Sequence, residues 1–145
     1  MWSLPSAAPA ESTDLLLVTD ASTIIEACLS EGGFAPIEHH DLVAPRLLWS
    51  EVSSVLHEML WRKEIAPTLA RTAFDRFASA PVAARHPATL SREAWAVADE
   101  LGWAKTYDAE YVALARLLHC PLVTLDARLA RTASRFLTVL SPQEL

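Results

Sequence analysis

Four acidic residues stand where a fold of alternating strands and helices would gather them. Asp20 closes the run LLLVTD, Glu51 lies in LLWSEVSSVLHEML, Asp108 in KTYDAEYVALA, and Asp126 closes PLVTLD. Asp20 and Asp126 each follow a short apolar, β-rich run, and in open parallel sheets the groups just past the carboxyl ends of strands line the ligand crevice. Mg2+ and Mn2+ are hard cations that prefer oxygen ligands, and Mg2+ usually keeps several waters while one or two carboxylates and a substrate phosphate complete its shell. Three or four converging carboxylates suit one or two such ions. Two ions about 3.5–4 Å apart can serve both the attacking water and the leaving oxygen of a phosphodiester. Close-packed like charges repel without a cation, so their clustering itself predicts metal binding.

Taken singly, each acid also has a purely structural reading. Asp20, before Ser22 and Thr23, could cap a helix. Glu51 could be a surface glutamate beside an apolar stripe. Asp108 could support a helix dipole from the first turn, and Asp126 could be a turn residue. The chemistry therefore rests on the elements that position them.

Residues 15–19 form a brief apolar run, and ASTIIEACLSEGG after Asp20 has helical spacing through Ile24, Ile25, Cys28 and Leu29. Gly32 and Gly33 are expected to end that helix, because glycine readily takes the left-handed conformation of a helix stop. LVAP reads as a short extended piece before a helix over about 46–62, whose Val52, Val55, Leu56, Met59 and Leu60 recur at the spacing of a buried stripe. A helix over 67–79 tolerates Pro67 near its start. PVAARH reads as a further short strand. Ser91 is the expected cap of a helix through Trp95, Val97, Ala98 and Leu101, closed by Gly102. Thr106 caps the next, with Tyr111, Leu114, Leu117 and Leu118 on its apolar face and Pro121 breaking it. LVTL is a strand ending at Asp126, ARLARTASR a short helix and FLTVL a closing strand. Alternating strands and helices call for an α/β fold with three α/β/α layers and a mostly parallel central sheet.

Composition bounds the class. A chain of 145 residues fits one domain, expected over 15–145 behind a loose tail at 1–14. No stretch approaches the ~18 uninterrupted apolar residues of a membrane span, and the opening MWSLPSAAPAEST lacks the basic start and apolar core of a secretory signal. A cytoplasmic protein is expected. Cys28 and Cys120 lack a CxxC pairing, so both read as small buried apolar residues. The five histidines, at 39, 40, 57, 86 and 119, lack metal-ligand spacing and are expected in surface or partly buried roles. A net charge of −6 at first argues against a polyanionic partner. Without the four candidate ligands, however, the acids fall from 18 to 14 against 12 Lys and Arg, so charge does not decide the substrate. Arg128, Arg131 and Arg135 would form a basic stripe on the helix past Asp126, either a solvated face or a surface for RNA phosphates. Trp61 and its neighbours are candidates for a subunit contact.

The motifs VTDAS, LVAPRLLWSEVSSVL, YDAEYVALA and CPLVTLDARLA, in this order, resemble those of PIN-domain ribonucleases, most closely the VapC toxins of toxin-antitoxin pairs. The resemblance spans residues 15–140 and is specific in combination. It implies a central parallel sheet flanked by helices, with Asp20, Glu51, Asp108 and Asp126 as ligands of Mg2+ or Mn2+. Thr124 matches a position that often holds Ser or Thr near the metal, and Ser22 is expected to support it. It further implies endonucleolytic hydrolysis of RNA to a 5′-phosphate and a 3′-hydroxyl, a homodimer, and restraint by a VapB-like antitoxin. Two positions depart from the pattern: Ser54, where relatives often carry Asn, and Leu129, where some carry a further acid. The second leaves the number of metals open. A phosphatase of the haloacid-dehalogenase type would also place an aspartate after its first strand, but DAST at 20–23 lacks that site's second aspartate. A catalytically silent module that keeps the fold and binds antitoxin or RNA is the remaining alternative.

Overall fold

The computed structural model describes residues 14–145; the tail expected over 1–14 lies, but for Asp14, outside the described residues. Five strands form one sheet, β1 (Leu16–Thr19), β2 (Asp41–Ala44), β3 (Val82–Ala84), β4 (Leu122–Val123) and β5 (Val139–Leu140), in the order β3-β2-β1-β4-β5. Every pairing is parallel, with Leu17 opposite Leu42, Val43 opposite Ala83, Thr19 opposite Val123 and Leu122 opposite Val139. The central strands are near-continuous apolar runs, Leu17, Val18, Leu42, Val43, Leu122 and Val123 all being buried. That pattern is required when helices cover both faces of a parallel sheet.

Six helices supply the cover: α1 (Ala21–Leu29), α2 (Leu47–Trp61), α3 (Pro67–Ala78), α4 (Leu90–Leu101), α5 (Tyr107–Leu118) and α6 (Ala127–Ala133). α1, α2 and α3 pack on one another, while α4 lies along α5, which contacts β1 and β4. Strand order steps outward from β1 through β2 to β3, then returns to the other side of β1 for β4. Right-handed crossovers in opposite directions put α1 and α5 on opposite faces. The reversal falls between β1 and β4, where an open sheet forms its crevice.

Several local expectations are corrected. α1 ends at Leu29, with Ser30 extended, so Gly32 and Gly33 lie beyond it. The Ser30 hydroxyl donates to the Glu26 carbonyl at 2.6 Å, and Arg76 Nη1 donates to the carbonyls of Cys28 and Ser30, both at 2.9 Å. Side chains thus satisfy the helix end that glycine was expected to close. Ser91 lies inside α4, which starts at Leu90 after Thr89; Gly102, at φ 68°, ends it as expected. Trp95 does not join Val97 and Ala98 in the core but is 67% exposed. Thr106 precedes α5 without a side-chain capping bond, and the helix ends at His119 in the left-handed region, two residues before Pro121. The last two strands are shorter than the runs LVTL and FLTVL. His40 is buried more fully than expected, its Nδ1 accepting from the Leu15 backbone N–H at 3.0 Å. Cys28 is buried as expected, and burial pushes its thiol up to about 11. Among the described residues no helix is long and apolar enough to cross a membrane.

Candidate metal centre

β1 and β4 deliver their following residues to the same end of the sheet. The Asp20 backbone N–H donates to the Val123 carbonyl at 3.3 Å, which joins the two strand ends. Asp20 then turns into α1 as its N-cap, and its carboxylate is engaged at both oxygens. Oδ1 accepts from the Ser22 hydroxyl at 2.7 Å and the Thr23 N–H at 3.3 Å; Oδ2 accepts from the Thr124 hydroxyl at 2.5 Å. Thr124 Oγ1 also accepts from the Asp126 N–H at 3.0 Å, and Ser22 Oγ from the Leu125 N–H at 3.0 Å. Asp126 caps α6, Oδ1 accepting from the N–H groups of Arg128 at 2.9 Å and Leu129 at 3.1 Å. Ser22 and Thr124 therefore fasten the first and fourth acids into one hydrogen-bonded junction. The cap reading of Asp20 is borne out, and the same carboxylate faces the junction with Thr124.

Glu51 and Asp108 enter from helices. Glu51 lies in the second turn of α2, and its Oε2 accepts from the Tyr111 hydroxyl at 3.1 Å. Asp108 lies in the first turn of α5, one turn before Tyr111. Desolvation is the largest influence on Asp20, Glu51 and Asp108, and it raises all three above the ordinary carboxylate range. Mutual repulsion adds to it: Asp126 raises Asp20 and Asp108, while Asp108, Asp20 and Glu110 raise Glu51. Burial, then the Glu51 charge, pushes the Tyr111 phenol far up, so it remains a donor. The four acids thus share one electrostatic field.

The donor set is all hard oxygen, which suits Mg2+ or Mn2+ over softer metals. Among the described residues no three acidic, His or Cys side chains stand close enough to hold an ion as they are. With both Asp20 oxygens and one of Asp126 already accepting hydrogen bonds, the arrangement fits an ion that keeps much of its water. It does not fit a closed protein cage.

Beside the acids runs an open groove of about 520 Å3, lined by Glu51, Trp103, Lys105, Tyr107, Asp108 and Arg128 among others. Arg128 lies close enough to Asp108 to lower its pKa against the other influences. Arg131 is exposed on the last turn of α6, and Arg135 lies past its end, so the three arginines do not share one continuous helix. Sequence reasoning assigned Tyr111 only to the apolar face and did not single out Lys105 or Tyr107. For Tyr111 a signal existed, since it follows Asp108 by one helical turn. Lys105 precedes α5 and carries no periodic signal.

Residues 17–135 match the PIN domain family. The chain is 34% identical over 119 residues to VapC ribonuclease Mb0985 of Mycobacterium bovis, covering 81% of this chain and 91% of that protein. It is 33% identical over 120 residues to ribonuclease VapC1 of Mycobacterium tuberculosis, covering 78% and 87%. Among solved structures, PAE2754 from Pyrobaculum aerophilum superposes with a TM-score of 0.69 at 20% identity, over 91% of this chain and 94% of that one. The VapBC2 structure from Rickettsia felis, bound to a DNA fragment from its promoter, gives 0.63 at 12% identity, over 88% and 98%. These two likenesses concern the fold; the matched sequence contains all four acids, and the chain belongs to the PIN domain family, grouping within it with the VapC ribonucleases.

Proposed function

We propose that this protein is a Mg2+- or Mn2+-dependent endoribonuclease, the toxin of a toxin-antitoxin pair, with Asp20, Glu51, Asp108 and Asp126 as its metal-binding acids. The observation that carries the reading is the junction in which Thr124 bonds Asp20 and Asp126 together at the reversal of strand order. Glu51 and Asp108 lie in the same field. A bound divalent cation would supply Lewis-acid stabilisation of phosphoryl charge and a more acidic water. The chain's own residues do the positioning. Ser22, Thr23 and Thr124 fix the Asp20 carboxylate, and Tyr111 orients Glu51. Arg128, which lines the groove, would meet a phosphate there, with Arg131 further along α6. Sequence identity to proteins named VapC supports RNA as the substrate and a VapB-like antitoxin as the restraining partner. A homodimer is part of the same reading, with Trp61, 76% exposed at the end of α2, as a candidate contact.

The test is purified protein, freed of antitoxin, incubated with total RNA and Mg2+ or Mn2+ beside the variants Asp20→Ala and Asp108→Ala. Cutting by the wild type that falls on the order of 100-fold or more in both variants is expected, the scale of losing a positioned catalytic group. Cutting retained by both would sink the assigned centre. Absence of cutting with either ion would favour a silent binding module.

A further inference from the structure

The start of the sheet, remote from the acids, carries a titratable group that the metal centre does not use. His40 immediately precedes β2 and is 7% exposed. Its Nδ1 accepts from the Leu15 backbone N–H at 3.0 Å, while the Leu15 carbonyl accepts from the Asp41 N–H at 2.9 Å. Both backbone polar groups of Leu15 are thereby tied to residues 40 and 41, just where the parallel pairing of Leu16 with Asp41 begins. The bond fixes the tautomer. A ring nitrogen that accepts cannot carry the proton, so neutral His40 holds it on Nε2. That Nε2 is buried and has no hydrogen-bond partner among the described residues, and the His39 ring stands 3.9 Å from the His40 ring, tilted by 43°. An unmatched buried donor is a cost that an apolar ring of similar size would not carry. What the histidine supplies is the acceptor for Leu15.

We propose that His40 is a proton-operated clasp on the first strand: neutral, it holds the Leu15 N–H, and protonated, it releases it and lets the start of β1 open from β2. Protonation puts a hydrogen on Nδ1, so two N–H groups face each other where one bond had been. It also brings a charge into a buried place where Nε2 has no acceptor. The charged neighbours are His39 on the same loop and Asp14 on the segment entering β1. Burial, then His39, lowers the His40 pKa below the ordinary 6.5, and Asp14 pulls the other way. With a lowered folded pKa, the clasp contributes fully above about 6.5 and is lost as pH falls through the folded value. That sign is opposite to the acid centre's, whose repulsion relaxes as pH falls. The opening is local, because Leu15 is 42% exposed whereas Leu17 and Val18 lie in the core.

The experiment is amide hydrogen exchange by NMR on the full-length protein in EDTA between pH 7.5 and pH 5, with nitrogen detection of the His40 ring. It needs neither RNA nor metal, so its outcome is independent of the nuclease reading. His40 should be the Nε2–H tautomer at pH 7.5. The Leu15 protection factor should fall by up to about tenfold per pH unit from about 6.5 down to the His40 titration midpoint and then level off, with Val18 still protected. His40→Asn keeps a side-chain oxygen that can accept from Leu15 but cannot titrate, so Leu15 should stay protected without that pH dependence. His40→Phe removes the acceptor, and Leu15 should be unprotected at every pH; the wild-type and His40→Asn results decide the matter even where His40→Phe fails to fold. An Nδ1–H tautomer at pH 7.5 overturns the proposal, as does Leu15 protection that stays constant from pH 7.5 to the His40 midpoint. So does a pH dependence that His40→Asn retains, which would assign the titration to Asp14 or His39.

Discussion

Asp20 and Glu51 are held in different ways, and the difference sets what each does as pH changes. Asp20 accepts from the Ser22 and Thr124 hydroxyls and the Thr23 backbone N–H, all of which favour its ionised form against burial. Glu51 has Tyr111 as its hydrogen-bonding side chain, against burial and three neighbouring acids that raise it. Tyr111→Phe removes that donor, so the Glu51 pKa must rise further, because a lost hydrogen bond to the charged form disfavours ionisation. If activity requires ionised Glu51, the acidic limb of kcat/KM against pH moves to higher pH, and activity above the limb changes little. A limb that stays in place, or a uniform loss at every pH, would show that Tyr111 acts only through packing. The four acids were legible in the sequence because two follow apolar strand runs and two sit at defined helical positions. The Tyr111 role was not, since a tyrosine within an apolar stripe reads as core until its hydroxyl is seen to meet a carboxylate.

The end of α1 was among the least legible features, because it is met in part by a partner distant in sequence. Nothing in ASTIIEACLSEGG indicates that the last carbonyls of α1 are met by Arg76, 48 residues after Cys28. Gly32 and Gly33 offered the local solution, and the tertiary one prevailed. Arg76→Met keeps much of the aliphatic stem and deletes both bonds, leaving the carbonyls of Cys28 and Ser30 without this donor. Hydrogen bonds from charged groups contribute about 1.5–3 kcal/mol, so a loss of about 1–3 kcal/mol in urea unfolding is expected. A change below about 0.5 kcal/mol would mean that water serves these carbonyls equally well. Helix interiors and strand identities were legible, since apolar periodicity at 3.6 residues and short β-rich runs each report burial directly. The shortness of β4 and β5 was not. Just past β4, the Thr124 backbone N–H still bonds to the Leu140 carbonyl while its hydroxyl serves the acid junction.

At the scale of the whole molecule, the class of fold was readable from alternation, whereas the strand order, and with it the meeting of Asp20 and Asp126, required the structure. That order concentrates carboxylates at one end of the sheet, and the concentration has a cost in stability. A carboxylate whose folded pKa is raised binds its proton more tightly in the native state, so stability falls as pH rises from the ordinary value of about 4 through the folded value. Above that window the penalty from Asp20, Glu51 and Asp108 is fully present, and below it the penalty is absent. A divalent cation removes the repulsion only where the acids are ionised. Mg2+ at about ten times its Kd should therefore stabilise the protein by about 1.4 kcal/mol at pH 7.5, a rise in Tm of about 3–6 °C. The rise should shrink at pH 5, where protons compete for the same oxygens. Glu51→Gln separates this account from nonspecific salt effects, because glutamine keeps an oxygen acceptor for the Tyr111 hydroxyl while removing one charge from the field. In EDTA at pH 7.5 it should melt at or above the wild-type temperature and lose most of the Mg2+-induced rise. A wild-type Tm indifferent to Mg2+, or a Glu51→Gln variant destabilised equally at both pH values, would show that the charges are separated by solvent and that these acids do not act as one centre.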